Sequence, residues 1–197
     1  MTTPIDPILL NQTTTGDQSP PKMVELADGR LFYIWTDSAQ SDSTAVTLQG
    51  RILNADGSPV TGQFSLGGWA VDGSDGFDFD NLSLNLLGTG NVLVSYVRSG
   101  SQGDGSEPVF SIYNPNVTPG GTGFTVIQNV EIQQTDTALT TESPPVTTVL
   151  NDGRILFVWS KGGLSDDTTG MTVWGRIYNA TGTASTNEFQ IGTWAVD

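Results

Sequence analysis

The chain has 197 residues and carries 21 acidic against 7 basic side chains, which gives a net charge of −14. An electrostatic field of this sign repels nucleic-acid phosphates and anionic lipid surfaces, so neither is an expected partner. Cysteine and histidine are absent, which excludes disulfides, thiolate metal sites, cysteine nucleophiles and the commonest general base. No apolar run approaches the roughly 18 residues of a membrane span, so membrane insertion is not expected.

The N-terminal residues 1–18 lack the basic region and the apolar core of a cleavable signal peptide. Within them, ILLNQT at 8–13 aligns with IQQTDT at 132–137, a segment much further along the chain. We therefore interpret 1–18 as a strand and a linker that continue the pattern of the repeats that follow.

Sequence repeats make up the rest of the chain. SPPKMVELADGRLFYIW at 19–35 matches SPPVTTVLNDGRILFVW at 143–159, and GRILNADG at 50–57 matches GRIYNATG at 175–182. A diverged copy lies between them, where GTGN at 88–91 is followed by VLVSY. The spacing predicts three units of about 60 residues each. We place their boundaries at 19–80, 81–142 and 143–197.

Each unit predicts four antiparallel strands. In the first unit, a short apolar strand at Met23–Leu26 runs into an Asp-Gly pair, which indicates a two-residue hairpin. The second strand, Leu31–Trp35, is apolar on both faces and is predicted to be buried on both. The third alternates polar and apolar residues, which predicts one exposed face, and a turn then leads to a closing strand at Phe64. Because Trp35 and Trp159 recur at one repeat position, we expect both to pack in a core.

The predicted fold is all-β, with three four-stranded antiparallel repeats arranged as propeller-like blades. A stack of small sandwiches or a β-solenoid is the competing architecture. Three blades are too few to close a ring. The chain is therefore expected to be half of a six-bladed ring completed by a second chain, as a homodimer, or a piece cut from a longer array.

Several of these motifs resemble a known class of protein. TGDQS at 15–19, LADGR at 26–30 and GRILNADG at 50–57, with further copies at 150–154 and 175–182, resemble tandem repeats of large secreted bacterial proteins of the RTX-type calcium-binding and adhesin class. The resemblance implies a secreted or cell-surface location in a bacterium, a propeller-like fold, and a binding or spacer task. The sequence has no glycine-rich nonapeptide tract, so an RTX calcium roll is not implied.

The densest group of potential metal ligands is the acidic run DGSDGFDFDN at 72–81. Carboxylate and amide oxygens separated by glycines can wrap around calcium, which takes about six to eight oxygen ligands. EF-hand spacing is not satisfied, and aspartates that cap backbone amides in a turn are the alternative explanation. We predict calcium as a cofactor, held by Asp72, Asp75, Asp78, Asp80 and Asn81.

A second group of candidates is aromatic. Trp174 lies on the predicted exposed face beside Arg176, and an aromatic ring next to a cation can stack on a sugar or anchor a protein partner. Two further tryptophans recur beside the closing strands of the outer units. The predicted ligand-binding residues are Trp174, Arg176, Trp69 and Trp194.

Together these features favour an extracellular binding or interaction module, stabilised by calcium, over an enzyme. The sequence contains no phosphate-binding loop, dinucleotide fingerprint or nucleophile elbow. The alternatives are a carbohydrate-binding lectin, a purely structural repeat unit and, least favoured, a glycoside hydrolase that uses two carboxylates. The expected partners are a second copy of the chain and an extracellular protein or glycan.

Overall fold

The computed structural model describes residues 7–38, 45–70, 82–99, 106–132, 143–161 and 171–193. Their regular structure is β, in three four-stranded antiparallel sheets. The chain divides into two compact structural units, which differ from the three sequence repeats. The first unit, Met1–Gly76, holds the first sheet, and the second unit, Phe77–Asp197, holds the second and third sheets. From here on, "unit" refers to these two. Nowhere in these ranges is there a helix of the length and apolar character that a membrane crossing needs.

In each sheet the strands are paired in chain order, each antiparallel to the next. The first sheet contains β1 (Lys22–Glu25), β2 (Leu31–Asp37), β3 (Ala45–Leu53) and β4 (Phe64–Ala70). The second contains β5 (Ser83–Leu86), β6 (Val92–Ser99), β7 (Ser106–Tyr113) and β8 (Thr125–Glu131). The third contains β9 (Val146–Val149), β10 (Ile155–Lys161), β11 (Thr172–Tyr178) and β12 (Phe189–Thr193). The predicted all-β class and the three four-stranded antiparallel sheets are confirmed.

The first turn of each outer sheet is longer than the predicted two-residue hairpin. The amide of Leu26 donates to the Arg30 carbonyl at 2.8 Å, and the amide of Gly29 donates to the Leu26 carbonyl at 2.9 Å. Gly29 has a φ of 83°. This is a three-residue loop, a type I turn followed by a left-handed glycine. Arg30 closes it by donating from its backbone amide and its guanidinium Nε to the Asp28 carboxylate, at 3.1 and 2.7 Å.

Burial along the strands agrees with the prediction for β2 but not for the third strand of the outer sheets. Phe32 and Ile34 are fully buried and Trp35 is 2% exposed, as expected of a strand covered on both faces. The predicted exposed face of the third strand is wrong, since Gln49 is 6% and Arg176 is 8% exposed. Gln49 donates from its side-chain amide to the Thr47 hydroxyl of its own strand at 2.9 Å, whereas Arg176 is covered by another segment of the chain, which supplies a hydrogen-bond acceptor.

In the second unit, the covering segment belongs to the second sheet. Phe110 on β7 stacks on Phe157 of β10 with ring centroids 4.9 Å apart, and meets Tyr178 edge-on at 5.0 Å. The Arg176 guanidinium donates to the Ile132 carbonyl at 2.9 Å. The apolar cluster joining the two sheets consists of Leu87, Leu93, Phe110, Ile112, Ile132, Ile155, Phe157, Trp159 and Tyr178.

In the first unit, residues 7–13 cover the corresponding face of the first sheet. The Arg51 guanidinium donates to the carbonyls of Leu9 and Leu10, both at 2.9 Å, just as Arg176 does to Ile132. Gln12 and Gln63 exchange two hydrogen bonds between backbone amide and side-chain oxygen, at 2.7 and 2.6 Å. The N-terminal segment therefore supplies the first sheet with the backbone acceptors that the end of β8 supplies to the third.

Candidate functional site

A cavity of about 280 Å³ lies beside Trp35 in the first unit, and we call it the Trp35 cavity. One tryptophan ring and three aliphatic side chains form its apolar wall, and two amides and a hydroxyl form its polar wall. Its lining residues are Ile8, Leu10, Asn11, Gln18, Ser19, Pro21 and Trp35. Binding sites for small polar molecules commonly combine an apolar wall with a few converging polar groups in this way.

The polar wall is fixed by hydrogen bonds to the end of β2. The Ser19 amide donates to the Thr36 carbonyl at 3.1 Å, and the Thr36 amide donates to the Ser19 hydroxyl at 2.9 Å. Gln18 forms an isolated bridge with Asp37. Asn11 then donates from its side-chain amide to the Gln18 side-chain oxygen at 3.2 Å. The segment before β1 is thereby joined to the end of β2 and to the N-terminal segment.

Two buried polar atoms at this place have no hydrogen-bond partner within the described ranges, the Trp35 Nε1 and the Thr36 Oγ1. An unsatisfied buried donor costs about 1–3 kcal/mol. The indole of Trp159, at the same repeat position, is also unpaired there. Its ring, however, belongs to the apolar cluster and has the Lys161 ammonium 5.9 Å from its centroid. What distinguishes Trp35 is that its ring lines a cavity.

Asp37 ends β2 at the same place and is the one carboxylate that is buried among the described residues, with no exposed surface. A charged group in such a position is costly unless the surroundings compensate for it. The repeat does not require an acid here. The same position, two residues after the recurring aromatic, holds Arg98 in the second sheet and Lys161 in the third. Asp37 is therefore a buried acid specific to the first sheet, and it is not among the residues that line the Trp35 cavity.

Sequence reasoning missed both Asp37 and the Trp35 cavity. Asp37 carried a usable signal, because it replaces a basic residue in a strand that otherwise repeats closely. The cavity carried none, because Asn11 and Gln18 approach Trp35 only when the N-terminal segment lies on the sheet.

The predicted ligand-binding residues Trp174 and Arg176 lie together on one face of β11. Trp174 donates from its indole nitrogen to the Thr172 hydroxyl at 2.8 Å, and the Lys161 ammonium lies 5.2 Å from its ring centroid. Lys161 in turn pairs with Glu188 at 3.3 Å, where each side chain is 11% exposed. Trp174 and Arg176 both contact protein groups, and a ligand-binding role for them stays a prediction.

The other predicted ligand-binding and metal-binding residues lie mostly outside the described residues. Trp69 lies in β4, but its side chain is not among those described, and Trp194 lies outside the described residues. The acidic run from Asp72 to Asn81 lies outside them as well. Within the described ranges, no group of three or more acidic side chains could hold a metal ion. The calcium site therefore stays a prediction.

The fold is similar to those of three carbohydrate-active enzymes of known structure. An alpha-L-arabinanase from Penicillium chrysogenum matches 98% of this chain and 52% of its own, at 14% identity and a TM-score of 0.58. An endo-1,4-beta-xylanase from Bacteroides thetaiotaomicron matches 95% and 62%, at 14% identity and a TM-score of 0.53. An alpha-L-arabinofuranosidase from Lactobacillus brevis matches 85% and 55%, at 11% identity and a TM-score of 0.54.

The likeness at these identities shows the fold alone, which is β-propeller-like. This chain spans between 52 and 62% of the length of the three enzymes. No protein-family model matches the sequence, and no curated protein sequence matches it either.

The prediction of a calcium-stabilised interaction module that is not an enzyme is contradicted by these neighbours, which are glycoside hydrolases. The absence of histidine and cysteine does not weigh against such a reaction, because hydrolysis of a glycosidic bond needs only two carboxylates.

Proposed function

We propose that the chain is part of a β-propeller-type glycoside hydrolase that acts on polysaccharides containing arabinose or xylose. The observation that carries the proposal is the similarity of fold to an arabinanase over 98% of the chain. A xylanase and an arabinofuranosidase with TM-scores of 0.53 and 0.54 support the same class of reaction. Such polymers lie outside cells, so the proposal includes a secreted or cell-surface location.

The proposal treats the three sheets as three blades of a propeller. The second and third sheets pack face to face through one apolar cluster, as neighbouring blades do. The chain corresponds to 52% of the arabinanase, so a complete ring needs about as much again. We propose that a second copy completes a six-bladed ring.

The Trp35 cavity is the proposed sugar-binding subsite within this chain. Trp35 is only 2% exposed, so a pentose ring would meet the aliphatic part of the apolar wall with its C–H face. The side chains of Asn11 and Gln18, on the polar wall, provide amide groups that can hydrogen-bond to its hydroxyls. The subsite combines an apolar wall with amides, which suits a neutral sugar.

The proposed reaction needs two carboxylates, one on each side of the glycosidic bond. In glycoside hydrolysis, one carboxylic acid protonates the leaving glycosidic oxygen as the C–O bond breaks. A second carboxylate either attacks the anomeric carbon or takes a proton from the water that does so, and the sum is the addition of one water molecule across the bond.

The test is the release of reducing sugar from arabinan, arabinoxylan and xylan by the full chain. We expect measurable hydrolysis of at least one polymer. The Asn11→Ala variant removes one amide of the polar wall, and should raise KM about tenfold, the equivalent of one hydrogen bond.

Asn85→Ala is the matched control, because it removes a half-buried amide that lies outside the cavity. It should leave KM unchanged. If folded, assembled protein releases no sugar from any of the three polymers, the proposed function is wrong. If both asparagine variants raise KM equally, the Trp35 cavity is not the subsite, although hydrolysis itself would stand.

A further inference from the structure

The packing of the second sheet on the third shows which kind of side chain one face of the repeated sheet packs against. The Phe110 ring stacks on Phe157 and meets Tyr178 edge-on. A methyl group added at Gly182 would come within 2.8 Å of an Ile127 side-chain carbon and 3.4 Å of the Phe110 ring. Phe110 and Ile127 together therefore fill a depression whose floor is formed by Phe157, Tyr178 and Gly182.

The first sheet has the same depression, and there it is only partly filled. Leu31, Tyr33, Leu53 and Gly57 hold the positions of Ile155, Phe157, Tyr178 and Gly182. They line a cavity of about 300 Å³, together with Ile8, Leu10, Ala55 and Asp56. We call this cavity the apolar socket.

The N-terminal segment does not supply the missing apolar volume. Ile8 lies against Gly57, where Ile127 lies against Gly182 in the second unit. Yet Ile8 remains 44% exposed and Leu9 is 66% exposed. The segment satisfies Arg51 through its carbonyls, but none of its described residues, 7–13, supplies an aromatic ring in the place of Phe110.

The third sheet carries an apolar projection on the face opposite to the one that packs on the second sheet, and this projection matches the apolar lining of the socket. Gly175 stands at the register position of Phe110, opposite Val158 as Phe110 is opposite Ser95. The Phe189 ring of β12 lies over this glycine, so that an added methyl group would be 2.8 Å from the ring. Phe189 thus replaces the ring that the second sheet supplies from β7.

This projection is exposed. Phe189 is 38% and Ile191 is 53% exposed, and we call the pair the apolar knob. Beneath it, Leu156 and Val158 are half-buried. Their counterparts in the first sheet, Phe32 and Ile34, have no exposed surface. The third sheet therefore presents the face that packs on a neighbouring sheet elsewhere in the repeat, and here that face meets solvent.

We infer that the apolar socket of one copy receives the apolar knob of a second copy. The two surfaces are repeat equivalents of the pair already joined between the second and third sheets. A dimer with two such contacts would cover both exposed faces of each chain. This interface specifies the surfaces of the two-copy ring proposed above, and it is independent of the hydrolytic reaction.

Charge sets a condition on this association. Each copy carries a net charge of −14, so two copies repel one another at low ionic strength. The attraction must come from apolar burial, which added salt does not screen, whereas it does screen the repulsion. The dimer should therefore become tighter, rather than weaker, as sodium chloride is raised.

The test is the mass of the full chain in solution, measured by light scattering across protein and salt concentrations. We expect a dimer for the unaltered chain and a monomer for Phe189→Asp and for Ile8→Asp, one altering the knob and the other the socket. Val126→Asp is the control, since Val126 is 45% exposed and lies outside both surfaces. It should remain a dimer, and circular dichroism should show all three variants to be folded.

Mixing the two monomeric variants gives a second measurement. Phe189→Asp retains an intact socket and Ile8→Asp retains an intact knob, so the mixture should form a heterodimer with one intact contact. A monomeric unaltered chain, a dimer that persists in Phe189→Asp, or a mixture that stays monomeric would each overturn the interface. A monomer that still releases sugar would refute the interface alone, and a dimer that releases none would refute only the hydrolytic function.

Discussion

The first and third sheets are close in sequence, but the same face of each is covered by a different structure. On the third sheet, the second sheet provides both the carbonyl of Ile132 for Arg176 and the ring of Phe110 for the depression below it. On the first sheet, residues 7–13 provide carbonyls for Arg51 but no aromatic ring. Residues 7–13 thus reproduce the hydrogen bonds of this interface on the first sheet, but not its aromatic packing.

This difference follows from how strictly the two kinds of group must be satisfied. A buried guanidinium needs oxygen acceptors at hydrogen-bonding distance, and its loss of hydration is costly without them. Apolar burial is non-directional, so any surface of matching shape can supply it. A short extended segment can meet the first requirement. The second needs the volume of a neighbouring sheet, which is why the first sheet retains an apolar socket.

The largest expected effect is that of Phe110→Ala. Because the ring is fully buried between Phe157 and Tyr178, removing it should lower the free energy of unfolding of the second unit by about 3–5 kcal/mol. The corresponding change in the first unit is Ile8→Ala. That side chain is 44% exposed, and its loss should cost less than about 1 kcal/mol.

Guanidinium-chloride unfolding, followed by tryptophan fluorescence, measures both changes. Similar losses from Phe110→Ala and Ile8→Ala would mean that the N-terminal segment packs as tightly as a neighbouring sheet. The contrast drawn between the two faces would then be incorrect.

The sequence predicted the strands well because their signals are local. The first strand was placed at Met23–Leu26 and lies at Lys22–Glu25, a shift of a single residue that leaves the pairing intact. The exposed face predicted for Gln49 and Arg176 is wrong, and for Arg176 the covering segment, at Ile132, is distant in sequence. Alternation of polar and apolar residues shows that a strand has two different faces, but not whether the polar face meets water.

Turn length and the site residues also depend on information that lies outside the local sequence. An Asp-Gly pair fits both a two-residue and a three-residue hairpin, and the register of the flanking strands decides between them. Asp37 stands out only when three repeats are compared at one position. The Trp35 cavity could not be predicted, because Asn11 and Trp35 are brought together by hydrogen bonds such as that between Gln12 and Gln63.

The second prediction concerns the Lys161–Glu188 ion pair, which has a neutral counterpart in the first sheet. Glu188→Gln removes the charge that faces the Lys161 ammonium while both side chains are largely buried, and should cost about 2 kcal/mol in unfolding free energy. Gln63, at the same repeat position, accepts its hydrogen bond from the exposed Gln12 amide. Gln63→Ala should therefore cost only about 0.5 kcal/mol.

A double variant sharpens the test. Lys161→Met together with Glu188→Gln leaves no unpaired charge and should recover most of the lost stability, as replacement of both members of a buried pair often does. Denaturant titration of the four proteins gives the values. If Glu188→Gln and Gln63→Ala destabilise equally, the charge of Glu188 contributes nothing beyond a neutral hydrogen bond.

The smallest expected effect concerns Tyr178 of the third sheet. Leu53 holds the equivalent position in the first sheet. Burial raises the pKa of Tyr178 to about 12, although the nearby Arg176 guanidinium acts in the opposite direction. The phenol therefore stays protonated and donates to the Glu131 and Ile132 carbonyls, both at 3.0 Å. In the unfolded chain a tyrosine ionises near pH 10, so this stabilisation is complete below about pH 10 and is lost as the pH rises toward 12.

Tyr178→Phe should therefore cost about 1 kcal/mol at pH 8 and progressively less above pH 10, as the unaltered protein loses its advantage. Urea midpoints for the second unit, measured from pH 8 to pH 11.5, give the difference directly. Leu53→Phe is the comparison in the first unit, because it changes a buried side chain that never ionises, and its effect should not vary with pH. A constant difference between Tyr178→Phe and the unaltered protein over this range would mean that the hydroxyl titrates alike in the folded and unfolded chains. In that case the two carbonyls of the second sheet would not hold the proton on Tyr178.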